Sequence, residues 1–170
     1  MKKFLFIFSV LFLFCSAFQV QAQNAASRQG HGAATMQELG QAVFNALQQN
    51  QFSGLDNFLP DETDLKALRR KSSEDMRLVL ERTTPDTVRQ NLQKQFSFMM
   101  DRASAGMFNW SAWTLAATKA TRKDPKNPLL YKVRVAIADA AANEKYVLFE
   151  AFQIRNRYFL FKQLDFTSEI

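Results

Sequence analysis

Leu130-Tyr131-Lys132-Val133-Arg134-Val135-Ala136-Ile137-Ala138 decides the fold. Tyr131, Val133, Val135 and Ile137 fall on one side by the period of two, and Lys132 and Arg134 fall on the other, the alternation of a half-buried strand. Two runs of the same texture follow. Tyr146-Val147-Leu148-Phe149-Glu150-Ala151-Phe152 stands within residues 145–154, and Tyr158-Phe159-Leu160-Phe161-Lys162-Gln163-Leu164 within residues 158–166. Residues 139–143 and Arg155-Asn156-Arg157 turn the chain between them, and connections this short imply antiparallel neighbours. Upstream, residues 110–121 read as a first strand, which places Trp110 and Trp113 on opposite faces and turns at least one of them away from the core. Asp124-Pro125-Lys126-Asn127-Pro128 reads as a turn whose two prolines keep it out of a ladder.

Ahead of the strands the period changes to that of helices. Thr35 and Glu38 form a capping pattern before Met36, Leu39, Val43, Phe44 and Leu47, which recur every three or four residues. Phe52, Leu55, Phe58 and Leu59 suggest one or two helical turns stopped by Pro60. Residues 61–70, with acids first and Arg69-Arg70-Lys71 last, suit either a short helix or a loop. Met76, Leu78, Val79 and Leu80 suit either a strand or a helix starting at Ser72 or Ser73. Thr84-Pro85-Asp86 opens the most regular helix, carried by Val88, Leu92, Phe96, Met99 and Ala103 and ending near Gly106.

Helices followed by four strands predict an α+β fold in which N-terminal helices pack into a curved antiparallel sheet. The helix at 36–47, the segment Phe52-x-x-Leu55-x-x-Phe58-Leu59 and the closing hairpin resemble the nuclear transport factor 2-like superfamily, whose exported bacterial branches are also called cystatin-like or SnoaL-like. The resemblance spans most of residues 35–166. It implies a cone-shaped domain, and it leaves activity open, because that fold hosts isomerases, dehydratases, hydrolases and non-catalytic binding modules.

Met1-Lys2-Lys3, the apolar residues 4–18 and Val20-Gln21-Ala22 have the three parts of a secretory signal peptide, with cleavage expected after Ala22. The apolar stretch is short for a transmembrane anchor. Cys15 raises a lipoprotein reading, which the bulky Phe14 before it disfavours. A retained anchor and an unprocessed chain stand against cleavage in the same way. Residues 23–34 read as a flexible leader, and residues 35–170 as one domain. Cleavage removes Cys15, the one cysteine, so the expected exported form has neither a disulfide nor a thiol nucleophile. It also removes Lys2 and Lys3, leaving 20 of the 22 basic residues against 16 acidic ones, about +4. So small an excess, spread along the chain, argues against a nucleic-acid partner.

The chain's chemistry is then limited. His31, the one histidine, lies in the expected leader, where a general base cannot be held against a proton. Histidine triads, histidine or thiolate zinc sites and glycine-rich phosphate loops are therefore not expected, and no cofactor or metal is assigned. Carboxylates remain. Enzymes that resemble ketosteroid isomerase use a carboxylate base in an apolar cone, and Glu150, sharing its strand face with Tyr146, Leu148, Phe152 and Ile154, is the candidate here. The competing reading is a surface face with Glu150 salt-bridged to Lys132, Arg134 or Lys162. Asp139 and Asp165 read as turn or strand-end residues. Trp110, Trp113, Tyr131, Tyr146 and Tyr158 either line a pocket for a small apolar or aromatic ligand or are plain core and sheet packing. An outward-facing tryptophan would mark a homodimer through the sheet. Arg69-Arg70-Lys71, Lys119 with Arg122, Lys123 and Lys126, and Arg155 with Arg157 form three basic groups on expected loops or ends, suited to anionic lipid, an acidic glycan or an acidic partner in the envelope, or else to plain solvation as a charge-balanced surface. The leading expectation is an exported, non-enzymatic binding module. A carboxylate-dependent isomerase or lyase, and envelope attachment through the basic loops, are the competing readings.

Overall fold

The computed structural model describes residues 30–167; the expected signal segment, most of the leader and the last three residues lie outside them. Among the described residues the chain is α+β, with four α-helices, two 3-10 turns and one four-stranded antiparallel sheet. Helix α1 (Met36–Gln49) is capped by the Thr35 hydroxyl, which accepts from the Glu38 N–H, while the Glu38 carboxylate accepts from the Ala34 N–H. The helix ends at Asn50, whose left-handed φ of 49° lets its N–H return to Ala46 and Leu47 carbonyls. A 3-10 turn (Phe52–Phe58) follows.

The two ambiguous segments are both helical. In α2 (Glu62–Lys71), Asp61 and Asp64 exchange backbone N–H bonds in a reciprocal capping box, the local signal that favours helix over loop. Helix α3 (Glu74–Glu81) starts after Ser73. Only Leu80 of its apolar set is buried, whereas Leu78 and Val79 are exposed, so the apolar run marks neither a strand nor a strong helical stripe. Helix α4 (Pro85–Ala105) buries the five residues expected of it, Val88, Leu92, Phe96, Met99 and Ala103.

The strands run β1 (Thr114–Asp124), β2 (Asn127–Ala138), β3 (Glu144–Ile154) and β4 (Arg157–Thr167), paired in that order. Two expectations about β1 are overturned. Trp110 and Trp113 do not belong to the strand, because the Asn109 side chain accepts from the Ser111 N–H and bends Trp110–Ala112 into a 3-10 turn. Neither indole points outward; both are buried against Phe108, Trp110 edge to face and Trp113 tilted, and Trp110 also meets Phe166. At the other end β1 continues to Asp124, so Arg122 and Lys123 join Lys119 as strand residues rather than lying in a loop. Pro125 and Lys126 form the turn between the paired Asp124 and Asn127, and Pro128 lies within β2 in the irregular stretch before Tyr131, where the register shifts.

Register defines the two faces. Val133 opposes Phe149 and Val135 opposes both Thr118 and Val147, so these residues share one side. Helix α1 lies on that side. A Cβ added to Gly40 would collide with Thr118 Oγ1 and stand 2.9 Å from its Cγ2, so glycine permits the closest approach of α1 to the sheet. Helix α4 lies along β4, where the Gln95 side chain accepts from the Leu164 N–H and satisfies part of the sheet edge. Strand β4 carries two register shifts against β3, between Leu148 and Ala151, and a left-handed Gln163 (φ 58°). Bulges of this kind bend a strand locally and increase its twist.

We expect Gly40→Ala to lower stability by about 1–3 kcal/mol in urea unfolding, and Thr118→Ala in the same chain to recover part of that loss by vacating the collision. Simple additivity of the two substitutions would show that the approach is not tight.

Candidate functional site

The second face of the sheet, turned away from α1, is built by the alternate residues of the same strands: Lys119, Thr121 and Lys123 of β1, Lys132 and Arg134 of β2, Leu148 and Glu150 of β3. A groove of about 460 Å³ lies across it, lined by most of these and by Gln163. Glu150 sits at its floor, 4% exposed in its side chain, and forms an ion pair with Lys123. The lysine is not among the partners expected from sequence. It reaches Glu150 because β1 extends beyond Thr121 and carries Lys123 on the same face as Lys119 and Thr121, a placement fixed by the strand boundary rather than by local pattern. Lys162 opposes Glu150 in the β3–β4 register. Burial pushes the Lys162 ammonium below its usual value; the Glu150 charge resists this and the Lys123 charge adds to it.

Glu150 does share a face with Tyr146, as the alternation predicts, but that face is not the one covered by α1. The reading of Glu150 as a base inside a helix-covered cone is corrected accordingly: the carboxylate lies on the open side and is ion-paired. No tyrosine hydroxyl serves it. Tyr146 donates to Glu144 and lies under the Arg134 guanidinium, and Tyr131 donates to Gln153.

The five aromatic candidates are not brought to one pocket. Trp110 and Trp113 join Phe108 and Phe166 in the core. Tyr131 and Tyr158 pack edge to face elsewhere on the sheet, and Tyr146 stands apart from both groups on the open face. Of the basic groups, Arg69 is used to hold α3, donating to the Leu80 carbonyl, while Arg157 donates to the Gly32 carbonyl. Lys119, Lys132 and Arg134 make no ion pair among the described residues, which leaves their charge available at the groove.

His31 is the clearest departure from expectation. Rather than belonging to a free leader, residues 31–34 are tied to the domain: Ala33 bridges to Tyr158, and the Gly32 N–H donates to the Asn57 carbonyl. His31 Nε2 lies 2.9 Å from Asp64 Oδ2 and 3.9 Å from Asp61 Oδ2, with its ring against Phe159. Composition suggested a leader, and the pairing that orders it comes from residues far away in sequence. His31, Asp61 and Asp64 are the described residues that offer three metal-type donor atoms within 4.8 Å of one another. Their carboxylates are already engaged in the α2 capping box. Burial raises the Asp64 carboxyl above its usual value; at Asp61, burial is outweighed by hydrogen bonds from Asp64 and by the His31 charge, which hold it below.

No family model, curated protein or solved structure matches the chain. No helix among the described residues is long and apolar enough to cross a membrane.

Two outcomes follow from the charges around Glu150. Lys123→Met leaves Glu150 buried without its partner and should cost about 2 kcal/mol in chemical unfolding, much of it regained with Glu150→Gln added. For Lys162, a folded value below the unfolded 10.5 means that the unfolded chain binds more protons in that interval. Stability therefore gains a rising contribution as pH climbs from the lowered value toward 10.5, and Lys162→Met should remove that rise from the pH dependence of urea unfolding.

Proposed function

We propose that this protein is a non-enzymatic binding module of the nuclear transport factor 2-like type, exported by the segment ending near Ala22, and that it receives an acidic polymer along the open face of its sheet. The observation that carries the reading is the charge balance of the groove: Lys119, Lys123, Lys132 and Arg134 surround a single carboxylate, Glu150, which Lys123 already engages. Three cations remain to meet anionic groups. Their attraction is a field effect of clustered like charges over low-dielectric packing, and it falls with salt.

The helices-first order and the bulged four-stranded meander support the cone-type fold. The same charge distribution disfavours a homodimer through this face, because a two-fold contact would set one copy's cations against the other's. The isomerase reading draws on a buried carboxylate beside a cavity, but an ion-paired Glu150 with no tyrosine hydroxyl at hand lacks both a free base and the opposing acid.

Calorimetric titration with a heparin oligosaccharide, taken as a soluble polyanion, should show binding that weakens with added salt and weakens further in Lys132→Ala/Arg134→Ala. Binding of equal strength in that variant, or no binding at low salt, would remove the open face as the site.

A further inference from the structure

A second cleft lies where α4 runs beside β4, and its chemistry differs from that of the open face. It encloses about 490 Å³. Its charged lining is entirely basic: Arg82 from the α3–α4 connection, Lys94 from α4 and Lys162 from β4, with no carboxylate among the lining residues. None of the three makes an ion pair among the described residues. Val88 and Phe161, both buried, supply an apolar floor.

We propose that this cleft binds a small amphipathic anion, an acidic head on an apolar or aromatic body, with Arg82, Lys94 and Lys162 holding the head and Val88 and Phe161 receiving the body.

Three features favour such a ligand over solvent. A half-buried lysine is deprived of hydration, so an anion brought to Lys162 restores a counter-charge that the protein supplies only in part: Glu150 stands across the register but is paired to Lys123. Gln95 is oriented by accepting from the Leu164 N–H through Oε1, which leaves its amide nitrogen as a donor at the cleft wall. Finally, apolar floor and cationic lining together match a ligand with both characters, whereas an inorganic anion would leave Val88 and Phe161 unused. The inference does not depend on the open-face reading, since Arg82 and Lys94 line this cleft and not the other groove.

Phenyl phosphate is a suitable probe, followed by backbone amide NMR, with inorganic phosphate and phenol as comparison titrants. Saturable shifts are expected at Asn91, Gln95 and Lys162 with phenyl phosphate, and weaker binding with either comparison titrant. Lys162→Met and Arg82→Ala should each weaken the Kd about tenfold, while Lys132→Ala on the open face leaves it unchanged. Absence of saturation at millimolar probe, or equal affinity in Lys162→Met and the unaltered protein, would overturn the assignment. Inorganic phosphate binding as tightly as phenyl phosphate would overturn the amphipathic class, and loss of binding in Lys132→Ala alone would move the site to the open face.

Discussion

Strand β3 is buried on both of its sides, and the remaining elements are arranged to meet that requirement. Val147, Phe149 and Ala151 face the α1 side, Glu150, Phe152 and Ile154 face the other, and all six are nearly inaccessible to water. A strand buried on both faces needs cover on both. One side receives α1, drawn in to contact distance by Gly40. On the other side Phe152 packs with Phe159 and Phe161, and Phe159 is closed over by Gly32 and the His31 ring, itself bonded to α2 through Asp64. Where that cover stops, Glu150 is the first residue along the strand, which is why a carboxylate occurs there and why it is paired.

The bending of β4 links the packing to the surface chemistry. Two extra residues on β4 relative to β3 break the strict alternation, so Phe161 is buried next to a half-buried Lys162, and Gln163 takes a left-handed turn. That local departure places Lys162 opposite Glu150 and also on the wall of the α4 cleft. The same lysine thus takes part in the electrostatics of both grooves, and its desolvation is a consequence of the bulge rather than of any property of the residues around it in sequence. The opposite edge of the sheet, β1, is mostly solvent-exposed and carries Lys119, Arg122 and Lys123, charges that discourage pairing with another strand.

Most of the fold was legible because its signals are local. The Thr35 and Thr84 caps, the stripe from Val88 to Ala103 and the alternation from Tyr131 to Ile137 all act over a few residues and agree with one another. The errors arose where a distant or side-chain interaction overrode the pattern. Asn109 turns Trp110 out of a strand of otherwise suitable composition. His31, in a stretch without large apolar residues, is ordered by Asp64 and by Phe159, neither near it in sequence. Of the candidate site, Glu150 and its strand face could be read from a period of two, but its partner Lys123 could not, since pairing across β1, β2 and β3 depends on register and strand length.

The sequence by itself determined the order of elements, the antiparallel meander and the absence of a thiol from residues 23–170, because capping, periodicity and composition are properties of neighbouring residues. The tertiary structure alone decided which face of the sheet α1 covers, hence that Glu150 lies on the open side, and that Lys94 of α4 and Arg82 before it line one cleft with Lys162. Those outcomes depend on register, bulges and the one close approach at Gly40, each of which joins residues far apart in the chain.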